Sequence, residues 1–192
     1  MMRYILVGII LLMAAGFGWI AFDWYNAGKA GGAYGAPFEL TDHTGQSITE
    51  AAFRRHPTAL FFGFTHCPDV CPTTLFEMEG WFETLGEEAK DLRAFFVTVD
   101  PERDTPEVMK TYLGNFSQRI TGITGDPQKV ARMIKDFGIF ARKVELEDGD
   151  YTMDHTASVI LLDRDGGFFG TISHQENPDT AIAKLRRLIR EG

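Results

Sequence analysis

Thr58-Ala-Leu-Phe-Phe-Gly63-Phe-Thr65 runs directly into His66-Cys67-Pro-Asp-Val-Cys71-Pro72 and then Thr73-Thr-Leu75. The first part is an almost continuous apolar run, the pattern of a strand covered on both faces. From Pro72 onward Leu75, Met78, Phe82 and Leu85 fall at helical spacing, which predicts a helix over 72–85. A central strand therefore ends, and a helix begins, around two cysteines. Cys67 falls in the turn and Cys71 at the helix start.

Working outward, 92–99 reads as a second buried strand. Thr105 is placed to cap a helix over 106–116, with Pro106 at its first position. A short strand follows at 120–124, then a helix opened by Asp126-Pro127 and reaching about Phe137. A third strong strand spans 157–162, and the turn Asp163-Arg-Asp-Gly166 leads into 168–172. An amphipathic helix over 179–190 closes the chain. On the other side, 38–41, the turn at 42–45, and 46–49 predict a small hairpin. Strands alternating with helices imply an α/β domain with a mixed central sheet.

The 192 residues suffice for one full hydrophobic core. Hydrophobic and charged shares of 44% and 24% are those of a globular chain. The net charge of −8, with no Lys/Arg block, argues against nucleic-acid binding. Residues 4–22 are apolar and uncharged, long enough for a bilayer span, and Trp24 and Tyr25 follow as interface anchors. Residues 1–25 are expected to be a retained membrane anchor, 26–36 a Gly/Ala-rich linker, and 37–192 the folded domain. Arg3 ahead of the span places the N-terminus in the cytoplasm and the domain outside. The lack of an Arg/Ser-rich leader before Tyr4 favours a bacterial inner membrane with the domain in the periplasm.

Two cysteines exclude a multi-bridge disulfide framework. Near a helix N-terminus both thiols sit where the macrodipole favours thiolate, the form that attacks disulfides and binds metal. Three residues separate them, one more than in a thioredoxin redox pair. A close thiolate pair suits Cu(I), with zinc also chemically reasonable, and either ion needs a third ligand. His155, in Asp154-His155-Thr156 just before the third strong strand, is the candidate, expected on the loop that faces the cysteine turn in a thioredoxin-like sheet. Two thiolates and one imidazole can serve Cu(I) and Cu(II) alike. Asp154 is a candidate for supporting the ligands from behind or for a weak extra ligand. A disulfide or a metal-free redox pair remains the alternative.

Three motifs carry a family resemblance: Gly63-Phe-Thr-His-Cys-Pro-Asp-Val-Cys-Pro72, Val99-Asp-Pro-Glu-Arg-Asp-Thr-Pro106 and Asp154-His155-Thr156. From about Pro37 to the C-terminus the chain resembles the Sco/SenC family of copper-binding proteins that assist assembly of cytochrome c oxidase. The resemblance implies a thioredoxin-like fold with an extra hairpin and a single N-terminal anchor. It also implies copper held by Cys67, Cys71 and His155, with the binuclear copper site of oxidase subunit II as recipient and an upstream copper donor. The proline that thioredoxins place before the third strand is absent.

Other residues have plainer readings. His66 is expected to cap or support the turn and not to ligate. Met153 is expected to pack. His43, His56 and His174 are expected at the surface, and residues 100–104 to form a turn held by Asp/Arg hydrogen bonds. Three functional classes follow. The first is a copper chaperone. The second is a thiol-disulfide oxidoreductase in which Cys67 attacks and Cys71 resolves. The third is an assembly module that needs no thiols.

Overall fold

β3 (Thr58–Gly63) is buried at every residue and has a paired strand on each side. It pairs in parallel with β4 (Arg93–Thr98) and antiparallel with β8 (Val159–Leu162). A strand with neighbours on both sides and cover on both faces has no place for polar alternation, which explains its sequence. Its paired phenylalanines divide between the faces. Phe61 meets its registered partner Phe96 at 5.9 Å between ring centroids. Phe62 meets Phe137 at 5.6 Å on the other side. Phe96 continues to Tyr112, and Phe95 to Phe53. One dipeptide in each of two strands thus seeds two core layers.

The computed structural model describes Gly16, Gly18, Trp19, residues 34–147 and residues 149–192. The full sheet among these adds β1 (Glu39–Asp42), β2 (Ser47–Thr49), β5 (Ile120–Thr124) and β9 (Phe168–Ile172), in the order β2-β1-β5-β4-β3-β8-β9. β3, β4 and β5 run parallel and the outer pairings are antiparallel, so the sheet is mixed. α1 (Val70–Leu85) and α2 (Pro106–Leu113) make the parallel crossovers, as such connections require. α3 (Pro127–Asp136) follows β5, and α4 (Pro178–Glu191) packs against α1. This is the expected thioredoxin-like α/β arrangement, with β1–β2 as the added hairpin.

Three helices start the same way, with a capping side chain and then proline. Thr105 accepts from the Val108 N–H, Asp126 from those of Gln128 and Lys129, and Asn177 from those of Asp179 and Thr180. Each cap satisfies N–H groups that the helix cannot, and the proline has none to satisfy.

The structure differs from expectation mainly in one stretch. Residues 141–155 contain β6 (Ala141–Glu145) and β7 (Tyr151–His155), an antiparallel hairpin forming a separate two-stranded sheet. Its residues are half-buried or exposed, so no apolar alternation announces it. Smaller shifts are that α1 starts at Val70, α2 ends at Leu113, β8 starts at Val159 and α4 starts at Pro178. Apart from Gly16, Gly18 and Trp19, the anchor expected over 1–25 lies outside the described residues, as do residues 26–33 of the linker. No described helix is long and apolar enough to cross a membrane.

Leu60 in β3 is fully buried. Leu60→Ala is expected to lower the unfolding free energy by about 2–5 kcal/mol, read from urea denaturation. A change below about 0.5 kcal/mol, the size typical of surface sites, would contradict the central place of β3.

Candidate metal centre

The turn between β3 and α1 is held from both sides. Its Cys67 N–H donates to the Phe64 carbonyl at 3.3 Å. Thr65 is fixed by the buried Asp104 carboxylate, which accepts from the Thr65 backbone N–H at 3.1 Å and from its hydroxyl at 2.6 Å. The Thr98 hydroxyl, at the end of β4, donates to the same carboxylate at 2.6 Å. Burial pushes the Asp104 carboxyl pKa up, and these hydrogen bonds oppose it.

α1 has no side-chain oxygen cap, because Asp69 at the N-cap position makes no such bond. The Cys67 sulfur takes that place, accepting the Cys71 backbone N–H at 3.4 Å. An N–H that every helix start leaves free is thereby aimed at sulfur, with the positive end of the helix dipole behind it. Pro72, inside the first turn, costs no helix bond there. Cys71 is fully buried and Cys67 half-buried, and the two are free thiols.

The Cys71 sulfur approaches β3 so closely that a Cβ on Gly63 would lie 2.8 Å from it and 2.6 Å from the Phe96 ring. Both distances are inside van der Waals contact, so the position tolerates only glycine without movement. The glycine of the first motif is thus explained by steric room for a sulfur.

His155 is the last residue of β7, not part of a loop as expected. Its Nε2 lies 3.6 Å from Cys71 Sγ. Nδ1 lies 3.0 Å from the Thr156 carbonyl oxygen, which can only accept, so Nδ1 carries the hydrogen. In the neutral ring this leaves the Nε2 lone pair facing the sulfurs, the arrangement a metal-binding imidazole needs. Phe64 packs against the ring in a T-shaped contact at 5.8 Å, and Phe61 does so at 6.3 Å.

The ligand atoms of Cys67, Cys71 and His155 all lie within 4.8 Å of one another. Thiolate and imidazole bonds to zinc run about 2.0–2.3 Å, and a trigonal ion with such bonds spaces its ligand atoms about 3.7 Å apart. The widest gap therefore closes by about 1 Å or less. The donor set fits one soft metal ion held by two sulfurs and a nitrogen.

The other candidates lie elsewhere. The Asp154 carboxylate points away from the site and pairs with Arg142, its cross-strand partner, at 2.7 Å. Successive residues of a strand face opposite ways, so Asp154 and His155 cannot share a direction. The Thr156 carbonyl fills the supporting role expected of Asp154. His66 is exposed, with Nδ1 3.1 Å from the Thr65 hydroxyl. Met153 packs against the core. His43, expected at the surface, is half-buried and accepts the Gly122 N–H at 3.0 Å, and His174 lies 3.5 Å from the Thr74 hydroxyl. Asp104 was not singled out by sequence beyond its place in a motif turn; its signal is a carboxylate one residue before a capping threonine.

The family model described as SCO1/SenC matches residues 26–190. The chain belongs to that family. The structure of Bradyrhizobium japonicum ScoI with copper bound is 47% identical, covering 81% of this chain and 99% of that one, with a TM-score of 0.75. The yeast Sco1 structure with copper bound is 31% identical over 83% of this chain and 90% of that one, at a TM-score of 0.76. The mitochondrial SCO2 homolog of Danio rerio is 39% identical over 78% of this chain. The chain spans about half the length of such mitochondrial relatives, 54% in the zebrafish case.

The two thiols divide one proton unequally. The adjoining Cys71 thiol, with the Cys71 N–H and against the cost of burial, lowers the Cys67 pKa to about 4. Donation to Cys67, and then burial, push the Cys71 thiol up. Because the Cys67 pKa is depressed from 9.0, its thiolate stabilises the fold fully above that value and loses this share as pH falls through about 4. In the reduced, metal-free protein, iodoacetamide is expected to alkylate Cys67 at a rate nearly constant from about pH 8 to about pH 5 and falling near pH 4. A rate that climbs tenfold per pH unit across that range would contradict the assignment. Gly63→Ala displaces Cys71 Sγ and is expected to move the inflection upward; an unchanged profile would show that the close approach does not set it.

Proposed function

We propose that this chain binds copper through Cys67, Cys71 and His155 and passes it to the binuclear copper site of cytochrome c oxidase subunit II. The observation that carries the reading is the imidazole Nε2 directed at the Cys71 sulfur, 3.6 Å away, beside the second sulfur. Two thiolates hold Cu(I) well in low coordination, and the imidazole extends the set toward Cu(II). Relatives solved with copper bound support copper over zinc as the ion.

Delivery follows from the different exposure of the ligands. The half-buried Cys67 is the sulfur an incoming thiolate reaches, so ligand exchange begins there while Cys71 and His155 still hold the ion. An upstream donor loads the site by the reverse exchange. Residues 1–25 anchor the chain in a bacterial inner membrane, with the domain of 37–192 on its periplasmic side. The linker of 26–36 keeps donor and acceptor on one face and raises their effective concentration. Bacterial relatives support that location.

A second reading is favoured by one observation. A half-buried thiolate of low pKa beside a buried thiol of raised pKa is the asymmetry of an attacking and a resolving cysteine. In that role Cys67 attacks a disulfide of the recipient site, forming a mixed disulfide and releasing one recipient thiolate. Cys71 then displaces the second, leaving Cys67–Cys71 oxidised and the recipient reduced. The two roles can follow one another only after an external thiol reductant has restored the Cys67 and Cys71 thiols, since donor and recipient cysteines alike must be reduced to hold copper.

Anaerobic titration of the reduced full chain with Cu(I), against a chromogenic chelator and with Zn(II) as competitor, tests the proposal. One equivalent is expected to bind, His155→Ala to weaken binding at least tenfold, and Cys67→Ala to abolish tight binding. Uptake no greater than in a cysteine-free variant would sink the copper reading. Turnover on a disulfide-bonded recipient peptide tests the second role, which fails if exchange is no faster than with free glutathione.

A further inference from the structure

The β6–β7 hairpin carries His155 yet pairs with no strand of the seven-stranded sheet among the described residues. Backbone ladders therefore do not fix the imidazole relative to the sulfurs. At the hairpin base, Phe140 and Thr156 bond each other, through Thr156 N–H to the Phe140 carbonyl and Phe140 N–H to the Thr156 hydroxyl. These bonds close the hairpin without tying it to the body.

The far end is tied. Tyr151, opposite Glu145 in register, donates its hydroxyl to the buried Asp100 carboxylate at 2.9 Å. The Arg103 guanidinium donates to the Tyr151 carbonyl at 3.0 Å and lies 3.7 Å from the centre of its ring. Arg103 also pairs with Asp100 and, at 3.4 Å, with Asp150, and Lys143 lies 3.6 Å from the centre of the Tyr151 ring. The Arg103 and Asp100 side chains are 17% and 4% exposed, against 64% and 51% for the Arg142–Asp154 pair. Screening that makes most surface pairs negligible is therefore weak here. A planar guanidinium suits the task, because it stacks on a ring and donates in its plane at once.

The same turn carries Asp104, which holds Thr65 in the cysteine turn. Residues 100–104 thus contact both arms of the site, the sulfur arm through Asp104 and the imidazole arm through Asp100 and Arg103. We propose that Arg103, with Asp100 and Tyr151, is a positioning residue that holds the hairpin so that His155 meets the sulfur pair. Its consequence for metal binding rests on the copper reading above, whereas its geometry does not.

Two measurements on the full chain separate these. Hydrogen–deuterium exchange of the reduced, metal-free protein reads the hairpin directly. In Arg103→Gln, amides of 141–155 are expected to exchange at least tenfold faster, with 58–85 unchanged. Tyr151→Phe removes only the hydroxyl bond and is expected to give a smaller increase in the same segment; it also carries the test if Arg103→Gln does not fold. Unchanged exchange of 141–155 overturns the proposal, and so does an equal rise throughout the domain, which marks a general structural prop. Cu(I) titration reads the consequence. Arg103→Gln is expected to weaken binding about 10–100-fold in the presence of His155 and to have no further effect in a His155→Ala background. A full additional effect in that background overturns the positioning role. Failure of the unsubstituted chain to bind Cu(I) defeats the copper reading alone, and exchange then decides the proposal.

Discussion

The Cys67 sulfur caps the helix that carries Cys71, and most of the site follows from that one contact. A helix start has N–H groups without partners, and here no side-chain oxygen takes them. Sulfur accepts the Cys71 N–H, which draws the turn tight, brings the second sulfur close and favours negative charge on the first. The three-residue spacing places Cys71 within the first helical turn, facing β3. Gly63 supplies the room it needs, since any side chain there would meet the sulfur. Strand end, glycine, turn and helix start are one mechanical unit.

The imidazole arrives by a different route. It sits on a small hairpin outside the main sheet, steered by aromatic packing and by the Thr156 carbonyl. That carbonyl selects the tautomer and leaves Nε2 as the free donor. The Cys71 sulfur belongs to the core and the half-buried Cys67 sulfur packs against it, whereas the nitrogen belongs to a hairpin outside the main sheet.

Much of this was legible in the sequence, for physical reasons that differ by element. β3 and β4 were readable because burial on both faces forces continuous apolar runs. α2 and α3 were readable because threonine or aspartate followed by proline is a helix-start signal in itself. The cysteine turn was readable because strand and helix patterns meet there. The β6–β7 hairpin was not, since Ala141-Arg-Lys-Val-Glu145 has the composition of a solvated segment and buries little. Without the hairpin His155 reads as a loop residue with Asp154 beside it, whereas strand alternation turns that carboxylate outward to Arg142. The second motif was readable as a turn, but not as the joint between two arms, because that depends on contacts between residues 48 positions apart, Arg103 and Tyr151.

The chain belongs to the SCO1/SenC family, and its geometry brings two sulfurs and one imidazole nitrogen within 4.8 Å of one another. The central claim is that all three ligands bind the same ion at once. X-ray absorption at the copper edge, on the full chain loaded with one equivalent of Cu(I), tests it most directly. The account predicts a shell of two sulfurs and one nitrogen, with the nitrogen lost in His155→Ala. A shell of sulfur alone, or one unchanged by that substitution, would contradict it.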